Sequence, residues 1–233
     1  MTVTSPRAHS RLVADAITLL CSLAAVMAWD LSGLDLAISR SFGTAHGFAW
    51  RDHWIASEVM HSHARQVGWG LLGLLIVNVW KPLPFARTLT RPERLRWLVS
   101  TLACACIVPL VKLVSATSCP WSLAEFGGSV AHYVPHWALG IKDEGPGHCF
   151  PSGHASTAFS FFTGWFALRD RAPRIARRWL LATLFFGALL GGVQVMRGAH
   201  YVSHPMWTAW ICWSISALLA HRGPARAWVP MPH

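Results

Sequence analysis

The sequence has few charged residues. Asp, Glu, Lys and Arg make up 13% of its 233 residues, about half of the quarter that a soluble domain carries. Internal repeats and low-complexity tracts are also absent. Apolar residues are abundant instead, since 53% of the chain is hydrophobic and fourteen residues are tryptophan. This composition excludes a disordered tail, a coiled coil and an ordinary cytosolic domain. It leaves a membrane protein or a single, very apolar domain.

Six apolar stretches divide the chain, and its length leaves room for about six membrane spans of roughly 20 residues each. The stretches are 12–29, 67–80, 95–114, 155–168, 179–195 and 206–220. Several are shorter than a full span. They are therefore either buried core helices or spans whose outer turns are polar because they line a site. The predicted fold class is all-α, with six transmembrane helices in a bundle that forms one domain over residues 1–233.

The positive charges alternate from one loop to the next. Fourteen of the twenty Lys and Arg residues lie before the first stretch, in 81–96, in 169–178 or after the last stretch. Seven of the ten Asp and Glu residues lie in the other loops. Cations concentrated on the cytoplasmic side are typical of membrane proteins. We attribute the net charge of +10 to this topology and predict no nucleic-acid partner. The prediction is a multi-pass protein, with both termini cytoplasmic, in a bacterial inner membrane; its oligomeric state stays open.

The first 28 residues also fit a second interpretation. Two arginines, an apolar run and small residues before Trp29 resemble a cleavable signal peptide. The apolar run is long for a signal peptide, so we favour a retained first span. The outer loops stay outside the cytoplasm under both interpretations.

The first of three polar segments begins at Lys112, at the predicted outer end of the third stretch. Cys119 and Pro120 follow it. A lysine in this position can pass its apolar stem through the hydrocarbon layer and keep its charge in water. Taken alone, Lys112 is most simply explained in this way.

The second segment, 151–154, reads Pro-Ser-Gly-His and opens the fourth stretch. Backbone N–H groups and the dipole at a helix start suit an anion such as phosphate. A histidine in the first turn can give a proton to a leaving oxygen. The structural alternative is a helix N-terminus capped by Ser152.

The third segment contains Arg197, His200 and His204, where the fifth stretch ends. If the segment is helical, the three side chains share one face. One histidine would then act as a nucleophile while the other orients its ring. Two histidines four residues apart can instead bind a metal, although neither a carboxylate nor a third histidine lies within this turn.

Together these segments resemble the type 2 phosphatidic acid phosphatase superfamily. Its membrane branch has six spans and an extracytoplasmic active site. Its motifs are Lys-x6-Arg-Pro, Pro-Ser-Gly-His and Ser-Arg-x5-His-x3-Asp. The second motif is unchanged here, and the order and spacing of all three motifs match within residues 112–204.

The resemblance implies a mechanism and a set of site residues. His200 would attack phosphorus and form a phosphohistidine, and His154 would protonate the leaving lipid oxygen. Lys112, Ser152 and the Gly153 N–H would bind the non-bridging oxygens. The resemblance thus implies a metal-independent phosphatase of lipid phosphates or diphosphates that needs no cofactor. Its partners would be a phosphorylated lipid and the bilayer.

Three charged positions of the family motifs are replaced. Cys119 replaces the first arginine, Gln194 the second arginine and His204 the aspartate. We predict that Arg197 supplies the lost phosphate-binding charge. His204 can accept a hydrogen bond from His200 when neutral but brings no negative charge. Activity should therefore fall as His204 protonates, below its reference pKa of about 6.5. The departures also leave open a site that binds phosphate without turnover.

Cys119 and Cys149 are the two cysteines that lie outside the apolar stretches, on the predicted oxidising side. Each borders a motif that the family fold brings to the same site. The resemblance therefore predicts a Cys119–Cys149 disulfide that holds the 115–153 loop. The alternative is two unpaired thiols.

Other functions remain open. A phosphotransferase would pass the phosphoryl group from the phosphohistidine to a second lipid. An intramembrane serine protease would use Ser152 and a histidine, and would leave Lys112 unexplained. A di-histidine metal enzyme or transporter would lose function with chelators. A non-enzymatic lipid-binding protein would tolerate His200→Ala.

Overall fold

The computed structural model describes residues 6–138 and 140–221 and is 71% helix and 3% strand. The α-helices are α1 Pro6–Leu31, α2 Leu34–Phe42, α3 Ala64–Trp80, α4 Arg91–Leu113, α5 Gly153–Phe159, α6 Thr163–Leu168, α7 Pro173–Met196 and α8 Ser203–His221. The mostly helical prediction is confirmed. One small hairpin, β1 Gly43–Thr44 with β2 Gly47–Phe48, departs from the all-α expectation.

The predicted apolar stretches fall on six helical segments. The second segment begins before the apolar stretch, as predicted, because a π-helix, Ile55–His63, runs directly into α3. The fourth segment is continuous from α5 to α6 through a 3-10 turn, Ser160–Phe162. Among the described residues, three helices are long and apolar enough to cross a membrane: His9–Leu31, Arg91–Val114 and Pro173–Met196. Three further 3-10 turns lie in the connections, at Pro84–Ala86, Pro120–Ser122 and Ala124–Phe126.

Ion pairs join the loops at one end of the bundle. Asp15 in α1 accepts two bonds of 2.7 Å from Arg169 and one contact of 2.8 Å from His221. Arg171 lies 3.7 Å from Glu93 at the start of α4. These contacts hold α1, α4, α6 and α8 together at the same end of the molecule. The cations Arg222 and Arg226, which the charge analysis assigns to the same side, lie outside the described residues.

Close packing brings α5 against three other helices. Apolar side chains from α4, α5 and α8 form one buried cluster, which includes Val108, Phe159 and Cys212. A Cβ atom built on Gly187 of α7 would lie 2.0 Å from the Phe159 ring, so this approach of α7 to α5 requires glycine. The start of α5 is thereby held beside the ends of α4, α7 and α8, the places where the three polar segments lie.

Candidate active site

The loop between α4 and α5 is folded by a buried carboxylate. Asp143 accepts the Ser118 N–H at 2.7 Å and the Ser118 hydroxyl at 2.8 Å. The Cys149 N–H donates to the Thr117 carbonyl at 3.0 Å. A disulfide joins Cys119 to Cys149, with their Cα atoms 5.2 Å apart, and this is the pair that the family resemblance singles out. The loop therefore returns to its own start just before α5 begins.

The third segment turns instead of continuing as a helix. Helix α7 ends at Met196, and Gly198 adopts a left-handed conformation with φ +71°. A Cβ atom at Gly198 would also lie 2.4 Å from the Phe48 ring, so only glycine fits. The condition for a helical face shared by Arg197, His200 and His204 is therefore not met, because the chain changes direction between Arg197 and His200.

Backbone hydrogen bonds fasten the three segments to one another. The Trp121 N–H donates to the Gly198 carbonyl at 3.0 Å. The Ser152 N–H lies 3.4 Å from the His204 carbonyl, and the Thr208 hydroxyl donates to the Ser152 carbonyl at 3.1 Å. The Ser152 hydroxyl oxygen accepts the Ala155 N–H at 3.4 Å, as a cap of α5. The segments that match the family motifs thus meet at one place.

A carboxylate from α2 supports the start of α8. Asp35 is buried and accepts hydrogen bonds from the Ser203 N–H at 2.9 Å, from the Ser203 hydroxyl, and from the Trp29 indole at 2.9 Å. It therefore fixes the residue before His204. Sequence reasoning missed this role, because Asp35 was only one of seven acids on the outer side and no spacing rule links it to Ser203.

The two histidines of the third segment face each other. Their Nδ1 atoms are 3.3 Å apart, and the His204 Nδ1 also lies 3.1 Å from the Cys149 carbonyl oxygen. A carbonyl oxygen only accepts hydrogen bonds, so the partners favour a proton on His204 Nδ1. His200 Nδ1 is then an acceptor, and His200 carries its proton on Nε2. A nucleophilic Nε2 requires the opposite arrangement, in which His200 Nδ1 donates to an unprotonated His204 Nδ1.

A further histidine, which sequence reasoning did not select, lies against His204. The His136 ring stacks on Phe150 at a centroid distance of 4.0 Å and meets the His204 ring edge-on at 5.6 Å. The His136 Nε2 is 3.4 Å from a carboxylate oxygen of Asp30, which also accepts the Trp207 indole N–H at 2.8 Å. Ten of the 13 histidines lie on the predicted outer side, and His136 is one of them. Nothing else in the sequence distinguishes it.

His200 is buried among positive or ionisable neighbours. Its side chain is 1% exposed, and burial lowers its pKa well below 6.5. The charges of His204, Lys112 and His154 lower this pKa further. The His154 and His200 ring centroids are 5.9 Å apart. His200 is therefore neutral near pH 7, and a neutral imidazole is the form that can act as a nucleophile.

The open side of the cluster lies at the start of α5. Lys112, Gly153 and His154 are half-buried, whereas Ser152 and His204 are fully buried. A Cβ atom built on Gly153 meets no atom within 4 Å, so space remains beside it. A groove of about 400 Å³ lies against the end of α4 and the α4–α5 loop, lined by residues 113–116, 142 and 144–148. Neither Gly153 nor His154 lines this groove.

The structure pairs Gln194 with Arg197. The Gln194 side-chain oxygen accepts a hydrogen bond from the Arg197 guanidinium at 3.2 Å, and the Arg197 Nε donates to the Arg51 carbonyl at 2.8 Å. Burial lowers the Arg197 pKa. Among the described residues, the Gln194 amide nitrogen has no hydrogen-bond partner, and no hydrogen bond joins either side chain to His200.

Comparison with known families agrees with this geometry. Residues 94–228, more than half of the chain, match the model of the PAP2 superfamily, and the chain belongs to that superfamily. No curated protein and no solved structure matches it. The resemblance predicted from the motifs is confirmed. PAP2 members are phosphatases, so membership supports a hydrolase of phosphoric esters.

Proposed function

We propose that this protein is a membrane-embedded phosphatase of lipid phosphates or diphosphates, with six spans and an extracytoplasmic site. Three helices that can cross a membrane support the proposal, as do six helical segments whose loops alternate in charge. Large apolar side chains are exposed on α1, α3 and α7, among them Leu20, Trp69 and Phe185 at 62–66% exposure. Such a surface is a liability in water but suits lipid.

The proposed reaction proceeds in two steps. His200 Nε2 forms a bond to phosphorus while the bond from phosphorus to the lipid oxygen breaks, and His154 protonates that oxygen. Lys112, the Ser152 hydroxyl and the Gly153 N–H bind the non-bridging oxygens, which gain charge in the transition state. Water then attacks phosphorus, and the bond to His200 breaks to release phosphate.

One observation carries this proposal. A buried, neutral histidine, His200, lies beside His154 and Lys112 at the open side of the cluster. A nucleophile, a proton donor and a cation thus converge where Gly153 leaves space for a ligand. This combination is the minimum that phosphoryl transfer to a histidine requires.

The test is phosphate release by detergent-purified protein in the presence of EDTA. The substrates to compare are phosphatidic acid, phosphatidylglycerophosphate, undecaprenyl diphosphate and lipid A. Release that persists in EDTA is expected, and the relative rates would identify the substrate class. If none releases phosphate, adding a second lipid as acceptor tests the phosphotransferase alternative. If neither reaction is observed, the proposal is contradicted, and the alternative of a non-enzymatic lipid-binding protein remains.

We expect Arg197→Ala to lower kcat/KM by about 10- to 100-fold, because a buried guanidinium makes charge-assisted bonds to phosphate. Arg197→Lys should recover only part of the loss, since lysine cannot bind in the same bidentate way. Steady-state kinetics on the best lipid substrate measure both effects. Arg65→Ala, which removes an exposed arginine near the start of α3, is the control. Unchanged kinetics in Arg197→Ala would show that this arginine does not replace the missing family cations.

We expect His204→Asp to raise kcat at least about tenfold, because a carboxylate accepts the proton of His200 Nδ1 and stabilises the imidazolium. The substitution also removes the bond between His204 and the Cys149 carbonyl, which favours the non-nucleophilic tautomer of His200. The comparison is kcat of wild type and variant on one substrate. The double variant with His200→Ala must stay inactive. A folded His204→Asp protein with an unchanged or lower kcat would count against this account of His204.

The pH dependence should follow the lowered pKa of His200. The neutral ring is the nucleophile, so activity is present above this pKa and is lost as the pH falls through it. His154 must be protonated to act as the general acid, so a separate alkaline limb is expected where His154 loses its proton. The acidic limb, which reports His200, should lie below pH 6.5. A rate profile of kcat/KM measures this limb. Burial also lowers the pKa of His204 well below 6.5, so the loss of activity near pH 6.5 that the sequence analysis predicts for His204 is not expected. A midpoint of the acidic limb near 6.5 would contradict the expectation.

A further inference from the structure

Three atoms that can bind a metal meet beneath the disulfide. They are Cys149 Sγ, His200 Nδ1 and His204 Nδ1, all within 4.8 Å of one another and all buried. The two histidine nitrogens are 3.3 Å apart, and the sulfur is 3.7 Å from His200 Nδ1. This cluster uses the ring nitrogen of His200 that the proposed phosphoryl transfer does not use.

These separations are those of a tetrahedral zinc site. With Zn–N bonds of about 2.05 Å and a Zn–S bond of about 2.3 Å, tetrahedral angles place two nitrogens about 3.3 Å apart and a nitrogen and a sulfur about 3.6 Å apart. The two distances in the structure differ from these by about 0.1 Å or less. Two edges of the cluster therefore match a zinc tetrahedron, and the third, from the Cys149 sulfur to His204, is within 4.8 Å. The fourth vertex of the tetrahedron is left for water.

The disulfide decides whether the third ligand exists. While Cys149 is bonded to Cys119, its sulfur is not a thiolate and cannot bind zinc as one. A dithiol reductant can supply two electrons and two protons, which leaves a thiol on each cysteine and oxidises the reductant to its own disulfide. The Cys149 sulfur lies 3.2 Å from the Ala199 carbonyl, so the new thiol has an acceptor. Zinc would then displace the thiol proton to solvent and bind the thiolate. His204 would carry its ring proton on Nε2 in this form, which leaves the Nδ1 lone pair free to bind the metal.

We propose that reduction of the Cys119–Cys149 disulfide creates a Zn²⁺ site formed by Cys149, His200 and His204. Two imidazoles and one thiolate suit zinc, which accepts nitrogen and sulfur ligands in tetrahedral geometry. Bound zinc fixes both histidines and prevents His200 Nδ1 from passing its proton to His204. The metal therefore inhibits the phosphatase, and reduction makes the enzyme sensitive to zinc. Only this inhibition rests on the proposed function; zinc binding does not.

Two matched cysteine variants test the site. Cys119→Ser and Cys149→Ser both remove the disulfide, but only Cys119→Ser keeps the proposed ligand. Zinc affinity is measured on the full chain in detergent by competition with a chromogenic zinc indicator. Cobalt(II) titration adds a thiolate-to-metal charge-transfer band if sulfur binds. Wild type is compared before and after treatment with a phosphine, a reductant that lacks the metal-binding thiols of a dithiol.

Cys119→Ser is expected to bind one Zn²⁺ per chain without reductant, at least about 100-fold more tightly than Cys149→Ser. Wild type should reach this affinity only after reduction, and His204→Ala in the Cys119→Ser chain should lose it. Equal affinity in the two cysteine variants, or equal affinity of oxidised and reduced wild type, would overturn the site. Zinc binding without phosphate release by any form would keep the site and reject the proposed function.

Discussion

Replacing His200 by alanine is expected to lower phosphate release by at least about 10⁴-fold, the scale of losses when an enzyme loses its nucleophile. The reason is geometric. His200 is the buried histidine beside both His154 and Lys112, and His204 is engaged by the Cys149 carbonyl. His204 therefore cannot replace His200 in forming the bond to phosphorus. Initial rates of phosphate release in detergent measure the effect.

The matched control for His200→Ala is His132→Ala, which removes an exposed histidine of the α4–α5 loop. Its rate should equal that of wild type. Wild type incubated briefly with labelled substrate should also carry an acid-labile phosphoryl group that His200→Ala lacks. A His200→Ala protein within tenfold of the wild-type rate would contradict the phosphohistidine route, whatever the substrate.

His154→Ala should slow release from lipid phosphates by about 10²- to 10⁴-fold, the usual contribution of a general acid. An alkoxide is a poor leaving group and needs a proton, which His154 donates in the proposed reaction. Nitrophenyl phosphate has a leaving group that departs without a proton, so the same variant should lose much less activity on it. The ratio of the two losses is the measured quantity.

Leaving-group dependence separates the roles of the two histidines. His200→Ala should abolish release from the lipid and from the nitrophenyl ester alike, because both need the nucleophile. His154→Ala should discriminate between them. Equal losses on the two substrates in His154→Ala would argue that this residue positions phosphate and does not donate a proton. His154 is half-buried in the first turn of α5.

The positions of the helices could be predicted from the local sequence. Apolar runs of 14–20 residues bounded by charges predict helices because such runs must bury or face lipid, and each predicted run lies on a helical segment. Local chemistry also starts α4, where Thr90 and Glu93 form a capping box. The sequence also indicated that the second segment begins before its apolar stretch, but it did not predict the π-helical form of Ile55–His63.

The motifs determined the family because their spacing is a property of the chain itself. The unchanged Pro-Ser-Gly-His run, with Lys112 before it and His200 after it, was sufficient for that resemblance, and the family match over residues 94–228 confirms it. The turn at Gly198 was not predictable from periodicity. An arginine and two histidines at helical spacing indicate a shared face, whereas packing of Gly198 against Phe48 forces a left-handed residue there.

The surroundings of the site depended on tertiary structure alone. Asp35 holds Ser203 from 168 positions away, and His136 lies against His204 through its stacking on Phe150. No local pattern encodes such contacts, because they form only when loops from three parts of the chain meet. The sequence by itself determined which residues can carry the chemistry. The fold decided the hydrogen-bond partner of each ring nitrogen, and hence where each proton resides, because partners remote in sequence provide those bonds.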